Sequence, residues 1–183
     1  MDMESDQTNL GKVSGKPEFT EADLGFMREA MVEADAAARQ GEVPVGAVIV
    51  KDGEVIARAH NLVETLGSSG AHAEMLAIRS AEEATGFKWL SGCSLYVTLE
   101  PCSMCAGAIV LSRLDRLYIG TMDPKNGACG SLSNIVCDPR LNHRVEVVRG
   151  LMAEECSRQL KDFFRERRER RLERNIPKPE DRR

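Results

Sequence analysis

Apolar positions along the chain change their spacing several times, and each change predicts a switch between helix and strand. Residues 43–50 form an apolar run rich in β-branched side chains, which predicts a buried strand. Residues 51–54 (Lys-Asp-Gly-Glu) are typical of a hairpin turn, so residues 54–61 are predicted to return as a second strand. A helix is predicted between Thr20 and Gly41, because three apolar residues recur there at helical spacing: Leu24, Met27 and Met31.

Helices and strands alternate through the rest of the chain. Helices are predicted at about 73–84 and 102–111 and from Ala153 onward, and strands at 94–99, 116–120 and 144–149. Segments 62–70 and 121–142 lack a regular period and are predicted to be loops, and a connection as long as the second is usually functional. The order predicts a central mixed five-stranded sheet with helices on both faces, which is a three-layer α/β/α architecture.

Composition supports one globular domain. The chain has 183 residues, of which 42% are hydrophobic and 30% are charged. No apolar run reaches the roughly 20 residues that span a membrane, and the acidic N-terminus lacks the apolar core of a signal peptide. We therefore expect a cytoplasmic protein whose six cysteines include no disulfide framework. Residues 1–16 are expected to be disordered, 17–171 to form the domain and 172–183 to be a charged tail.

Charge is distributed unevenly along the chain. The formal net charge is −4, yet residues 161–183 hold ten basic and six acidic residues. A basic C-terminal segment on an acidic body can bind RNA through its basic face. The same charges can also belong to a solvated helix with Glu–Arg pairs, and charge alone leaves both interpretations open.

Three side chains have the spacing of a metal site. His72 is followed two residues later by Glu74, and Cys102 and Cys105 form a Cys-x-x-Cys pair after Pro101. One imidazole and two thiolates make a catalytic zinc site, whose fourth position stays open for water. We therefore predict one Zn²⁺ per chain, held by His72, Cys102 and Cys105. Glu74 is predicted to carry protons beside the metal rather than to bind it.

The spacings also predict where the metal lies. Cys102 and Cys105 share one helix face if a helix begins near Cys102, and the positive end of the helix dipole favours thiolates there. In a regular helix His72 and Glu74 would point about 200° apart. They converge only if the metal lies off the end of a helix, so we expect two helix N-termini to meet at the metal.

The combined pattern, H-x-E followed by P-C-x-x-C, is the known signature of zinc-dependent nucleobase deaminases. Zinc makes hydroxide available at neutral pH, and Glu74 can move a proton from the water to a ring nitrogen and then to the leaving amine. Adenine C6 and cytosine C4 both suit this reaction. A structural zinc in a non-catalytic RNA-binding module is a further alternative, although such a site has no use for Glu74.

The chain resembles the bacterial tRNA adenosine deaminases of the TadA type over about residues 24–168. The zinc motif is shared with cytosine, guanine and deoxycytidylate deaminases. Three features are more specific to the tRNA enzymes: Asp123-Pro124-Lys125, Asn142-His143 and Phe163-Phe164-Arg165. The other matching stretches are 42–47, Asn61, 71–75, 95–102, 104–107, 112–113 and 130–132.

The resemblance implies a cytidine-deaminase-like fold, a homodimer and a tRNA anticodon stem-loop as the substrate. Wobble adenosine would be converted to inosine. Asn61 would bind the flipped base, Val43 would form an apolar wall against it, and Ala73 would also contact the substrate. The residues implied near the flanking nucleotides are Asp123, Lys125, Phe163, Arg165 and Arg168.

The sequence leaves alternatives open for Asn61 and for the substrate. Asn61 can simply end a strand and close a turn, and the chain can be a deaminase of a small purine or pyrimidine such as guanine or cytosine. Many members of the family carry Asp-Pro-Thr before the histidine, whereas this chain has Ser68-Ser69-Gly70. This departure leaves the predicted catalytic residues intact and concerns only contacts made by that loop.

Overall fold

The computed structural model describes residues 19–174. Its helices are α1 (Glu21–Arg39), α2 (Val63–Leu66), α3 (Ala73–Thr85), α4 (Ser103–Leu111) and α5 (Ala153–Arg174), with one 3₁₀ turn at Ile135–Cys137. Its strands are β1 (Gly46–Lys51), β2 (Glu54–His60), β3 (Cys93–Leu99), β4 (Arg116–Thr121) and β5 (Glu146–Arg149). Within the described residues these strands form one sheet in the order β2-β1-β3-β4-β5. The first two pairings are antiparallel and the last two are parallel.

Alternation along the strands builds two apolar layers, because successive side chains point to opposite faces of a sheet. One face packs against α3 and α4 and carries Ala47, Ile49, Leu95, Val97, Leu117 and Ile119. The other face packs against α1 and α5 and carries Val48, Val50, Tyr96 and Tyr118. This arrangement confirms the predicted three-layer α/β/α fold with a central mixed sheet.

Helix α1 is fixed to the sheet by polar and steric contacts. Thr20 and Asp23 form a capping box at its start. The Tyr96 hydroxyl donates a hydrogen bond to Asp23 Oδ1 at 2.7 Å, which ties the helix end to a central strand. At Gly46 a Cβ atom would clash with the carbonyl oxygen of Ala30, so glycine lets α1 approach β1 closely.

Several boundaries differ from the sequence predictions. A single helical turn, α2, interrupts the loop predicted at 62–70, and the 3₁₀ turn interrupts the one at 121–142. Helix α5 continues to Arg174, at the end of the described residues. The prediction of disorder at 1–16 lies outside the described residues. No helix in the described part of the chain combines the length and apolar character needed to cross a lipid bilayer.

Candidate metal centre and active site

Two helix starts deliver the predicted metal ligands to one place. His72 is the N-cap residue of α3 and Cys102 is the N-cap residue of α4, both with extended backbone. The helix begins at Ser103, which agrees with the predicted start near Cys102. Cys105 follows in the first turn of α4 and is fully buried. Because α3 and α4 pack on the same face of the sheet, their N-termini lie side by side.

The three donor atoms have the separations of a tetrahedral zinc site. His72 Nδ1 lies 3.7 Å from Cys102 Sγ and 3.5 Å from Cys105 Sγ, and the two sulfur atoms are 3.8 Å apart. Tetrahedral zinc with ordinary bond lengths requires S–S edges of about 3.8 Å and N–S edges of about 3.6 Å. Within residues 19–174 this is the one group of three or more potential metal-binding side chains whose donor atoms all lie within 4.8 Å of one another. The residues therefore fit zinc.

The two thiols differ in acidity. Contact with the Cys105 thiol lowers the pKa of Cys102 to about 5, and backbone N–H groups at the start of α4 assist against the opposing effect of burial. The same contact, together with burial, raises the pKa of Cys105. One thiolate is thus available near neutral pH, and a cation at this position would favour the second.

Glu74 lies beside the cluster in the first turn of α3 and is only 4% exposed. Burial raises the pKa of its carboxyl group to about 6, although its own backbone N–H and His72 act in the opposite direction. Its carboxylate does not belong to the three-residue cluster. A carboxyl group with a pKa near neutrality suits proton transfer.

Of the predicted base-binding residues, Asn61 and Ala73 lie next to the segment that carries His72. Asn61 directly follows β2 and is 8% exposed. The next residue, Leu62, donates its backbone N–H to the Ala71 carbonyl at 3.0 Å, which holds this segment against the segment that carries His72. Val43 is half-buried just before β1, and Ala73 is fully buried as the first residue of α3.

The residues predicted to contact RNA are spread over two elements. Asp123 Oδ1 accepts hydrogen bonds from the backbone N–H groups of Lys125 and Asn126, at 2.9 and 3.3 Å, so it shapes an exposed turn. Arg165, on α5, pairs with Asp162 at 2.7 Å and lines a cleft with Thr121. The cleft thus lies between α5 and the end of β4, and Asp123 follows Thr121 by two residues.

The remaining predicted RNA contacts lie further along α5. Phe163 is half-buried and meets the more exposed Phe164 edge-on, with ring centres 5.4 Å apart. Phe163 also lines a cleft that includes Pro44 of the segment before β1. Arg168 is exposed.

Two buried carboxylates at the site were not assigned a role from the sequence. Glu42 is fully buried and Glu100 is 3% exposed. Glu42 lies beside Asn61, and Glu100 precedes the Pro101-Cys102 pair. The available signal was a charged residue at the margin of a buried strand, since a buried acid requires hydrogen-bond partners.

Comparison with known proteins agrees with this geometry. A profile of the MafB19-like deaminases matches residues 21–168. The chain is 54% identical to the tRNA-specific adenosine deaminase of Bacillus subtilis (strain 168) over 145 residues, 79% of this chain and 90% of that relative. A structure solved in a study of A-to-I editing by tRNA:A34 deaminases at the wobble position of transfer RNA matches with a TM-score of 0.72 and 48% identity, covering 74% of this chain and 99% of that chain. A guanine deaminase from Nitrosomonas europaea, with a TM-score of 0.70 and 21% identity over 88% of this chain and 98% of that one, shares the fold.

Proposed function

The chain belongs to the MafB19-like deaminases and to the tRNA-specific adenosine deaminases, and we propose that it converts the wobble adenosine of a tRNA anticodon loop to inosine. The reaction is a zinc-dependent hydrolytic deamination. The observation that carries the proposal is the convergence of His72, Cys102 and Cys105 at zinc-like separations beside the buried Glu74.

The chain's own residues divide the chemistry between them. His72, Cys102 and Cys105 would hold the metal, which when bound activates water for attack at neutral pH. Glu74 takes one proton from the attacking water and passes it to a ring nitrogen. It then moves the second proton of that water from the new hydroxyl group on the ring carbon to the amine, which leaves as ammonia. Burial keeps competing bulk water away from this carboxylate.

The base and its neighbours are bound by residues around this centre. We assign Asn61 to the edge of the adenine ring, Val43 to its apolar face and Ala73 to a further substrate contact. RNA loops are recognised as splayed bases with their phosphates held by basic residues. The residues assigned to the flanking nucleotides are Asp123, Lys125, Phe163, Arg165 and Arg168.

A homodimer is the assembly that the surface of α4 favours. Met104, Ala108 and Leu111 lie on one side of this helix at intervals of four and three residues. Met104 is 38% exposed and Leu111 is 79% exposed, so the helix presents an apolar stripe at the surface. A tRNA substrate is consistent with a cytoplasmic location for the enzyme.

Incubation with an anticodon stem-loop RNA that bears a wobble adenosine tests the function. We expect stoichiometric inosine, formed far faster than from free adenosine, cytidine or guanine, because recognition requires the loop. Efficient deamination of free guanine in place of the stem-loop would assign the chain to a small-base deaminase. The purified enzyme should hold one zinc per chain, and the Cys102→Ala, Cys105→Ala double variant should lose it.

A further inference from the structure

A buried carboxylate that the proposed chemistry does not use lies behind Asn61. Among residues 19–174 the buried acids are Glu42, Glu74 and Glu100. Glu42 is fully buried and accepts three hydrogen bonds. Its Oε1 accepts from the backbone N–H of Thr65 at 2.6 Å, and its Oε2 accepts from the backbone N–H of Glu64 at 3.2 Å and from Asn61 Nδ2 at 3.1 Å.

These bonds keep Glu42 ionised. Burial alone would raise the pKa of the carboxyl group, but the N–H groups of Thr65 and Glu64 outweigh burial and the pKa is lowered. Hydrogen bonds from N–H donors to a carboxylate are among the stronger bonds in proteins. An ionised carboxylate can only accept hydrogen bonds, so every group that faces Glu42 must be a donor.

The ionised carboxylate of Glu42 determines the orientation of the Asn61 side-chain amide. The oxygen and nitrogen of an asparagine amide are told apart by their hydrogen-bond partners. Since Glu42 accepts only, Nδ2 of Asn61 must face it, and Oδ1 must lie on the opposite branch of the amide. The buried charge therefore leaves Asn61 with a defined acceptor, together with its second N–H, for a ligand.

Other contacts already hold the backbone at this point. The N–H of Asn61 donates to the Val45 carbonyl at 3.0 Å, and the N–H of Leu62 donates to the Ala71 carbonyl at 3.0 Å. The strand end thus stays between β1 and the metal-binding segment without help from Glu42. What Glu42 adds at Asn61 is the orientation of the amide.

We propose that Glu42 is a positioning residue that fixes the side-chain amide of Asn61 and so determines which hydrogen-bonding atoms the pocket presents to the adenine ring. This inference rests on the proposed function, because it requires Asn61 to contact the base. It makes the discrimination between bases depend on a residue that does not touch the substrate.

Substitution of Glu42 by Gln changes the hydrogen-bond chemistry at almost constant size. A glutamine amide has one acceptor and one NH₂ group, so it cannot accept from all three donors. If its oxygen keeps the short bond to Thr65, its NH₂ group faces Asn61 and favours an inverted amide there. The backbone donors cannot invert, so Asn61 is the group that must respond.

A double-mutant cycle on single-turnover inosine formation tests the proposal. We expect Glu42→Gln to lower the rate at least tenfold in the wild-type background, but less than threefold in the Asn61→Ala background, because the amide it misorients is then absent. Equal losses in both backgrounds, or no loss in the wild type, would overturn the proposal. Glu33→Gln is the matched control, since Glu33 binds His60 next to Asn61 at 2.7 Å, and it should change the rate less than twofold.

A second variant separates chemistry from packing and remains informative if Glu42→Gln does not fold. Glu42→Asp keeps a carboxylate that only accepts but shortens the side chain. Per folded molecule it should retain more activity than Glu42→Gln, or more than Glu42→Ala if the glutamine variant is insoluble. The reverse order would assign Glu42 to packing alone. A wild-type enzyme that forms no inosine would refute the proposed function, whereas an active wild type with additive losses would refute only the role of Glu42.

Discussion

At the scale of single residues, Glu74 favours a catalytic over a structural role for the three-residue cluster. A structural zinc site is closed by four protein ligands, whereas this cluster offers three. The nearby carboxylate is buried and its pKa is raised to about 6, chiefly by that burial. Burial of an ionisable group costs free energy, and such groups are common at catalytic sites. Proton transfer beside an activated water is a role that accounts for a buried carboxyl group here.

Replacement of Glu74 by Gln tests that assignment. We expect zinc content and fold to be retained, because Glu74 is not among the metal-binding side chains, and single-turnover inosine formation to fall about 10²–10⁴-fold. Quenched-flow kinetics with parallel elemental analysis would measure both. Glu83→Gln is the control on the same helix, where Glu83 pairs with Arg79 at the surface. Zinc loss in the Glu74 variant would make Glu74 a ligand instead.

The residues of the site differ in how far the sequence could predict them. The grouping of His72, Cys102 and Cys105 could be predicted because potential metal ligands leave short, fixed motifs in the chain. Glu42 and Glu100 received no role, since their partners lie 19 to 31 residues away and most are backbone N–H groups. A backbone donor has no signature in a sequence, so such roles become visible only in the folded chain.

At the scale of elements, the connection after β4 is held against the metal-binding segment by one carboxylate. Glu100 accepts from the backbone N–H groups of Asp123, Cys129 and Ser131, at 2.9, 3.0 and 3.0 Å, and from the Ser131 hydroxyl. The N–H of Ala128 also donates to the Pro101 carbonyl at 2.8 Å. The turn at Asp123, proposed to meet RNA, is thereby fixed relative to the metal centre.

Removal of one donor should weaken this attachment in a measurable way. Ser131→Ala deletes a hydrogen bond to a buried charge, and we expect a loss of about 1–2 kcal/mol in the free energy of unfolding, measured by urea denaturation. The KM for the stem-loop should rise more than kcat falls, since the chemistry is untouched. Ser133→Ala is the matched control, because the hydroxyl of Ser133 makes no hydrogen bond within residues 19–174. Equal effects of the two substitutions would contradict the role of Glu100.

The attachment of α1 to the sheet should depend on pH through Asp23. Partial burial opposes ionisation of this residue, but hydrogen bonds from Thr20 and Tyr96 outweigh it and lower its pKa below 3.8. A carboxyl group whose pKa is lower in the folded state stabilises the fold above its unfolded pKa, and this stability is lost as the pH falls through the folded value.

Asp23→Asn measures that contribution. We expect the free energy of unfolding of the variant to be about 1–2 kcal/mol lower than that of the wild type at pH 6. This difference should shrink as the pH falls below 3.8. Chemical denaturation at several pH values gives the comparison. Glu21→Gln, in the same helical turn but exposed, should show no comparable difference. A gap that stays constant down to pH 2 would mean that the charge of Asp23 is not involved.

At the scale of the whole molecule, the sequence could predict the layers better than their order. Alternating apolar residues identify strands, and helical spacing identifies the helices that cover them. The order β2-β1-β3-β4-β5 is set by pairings between distant segments, which leave no local period. Helix α2 escaped prediction for a related reason, since Glu42 binds the N–H groups of Glu64 and Thr65 at its start from 22 and 23 residues away. The C-terminal half of α5 carries surface pairs such as Glu166 and Arg170, at 3.3 Å, and these pairs do not form an apolar period.

The exposed stripe of α4 should form the centre of a homodimer. This helix buries Cys105 and Ile109 on one side and presents Met104 and Leu111 on the other. Leu111→Glu places a charge on the stripe, which cannot be desolvated without cost. We expect the dimer dissociation constant, measured by sedimentation velocity over a concentration series, to rise at least about tenfold.

A matched control separates loss of the interface from loss of the fold. Val32→Glu adds the same charge at a 62% exposed position on α1 and should leave the dimer intact. Both variants should keep one zinc per chain, because Cys102 and Cys105 lie at the N-terminal end of α4, whereas Leu111 is its last residue. If the wild type sediments as a monomer, or if Leu111→Glu dimerises as tightly as the wild type, the stripe is not the interface. If Leu111→Glu loses its zinc as well as its partner, then assembly and metal binding are coupled along α4, and the interface would have to be treated as part of the catalytic centre.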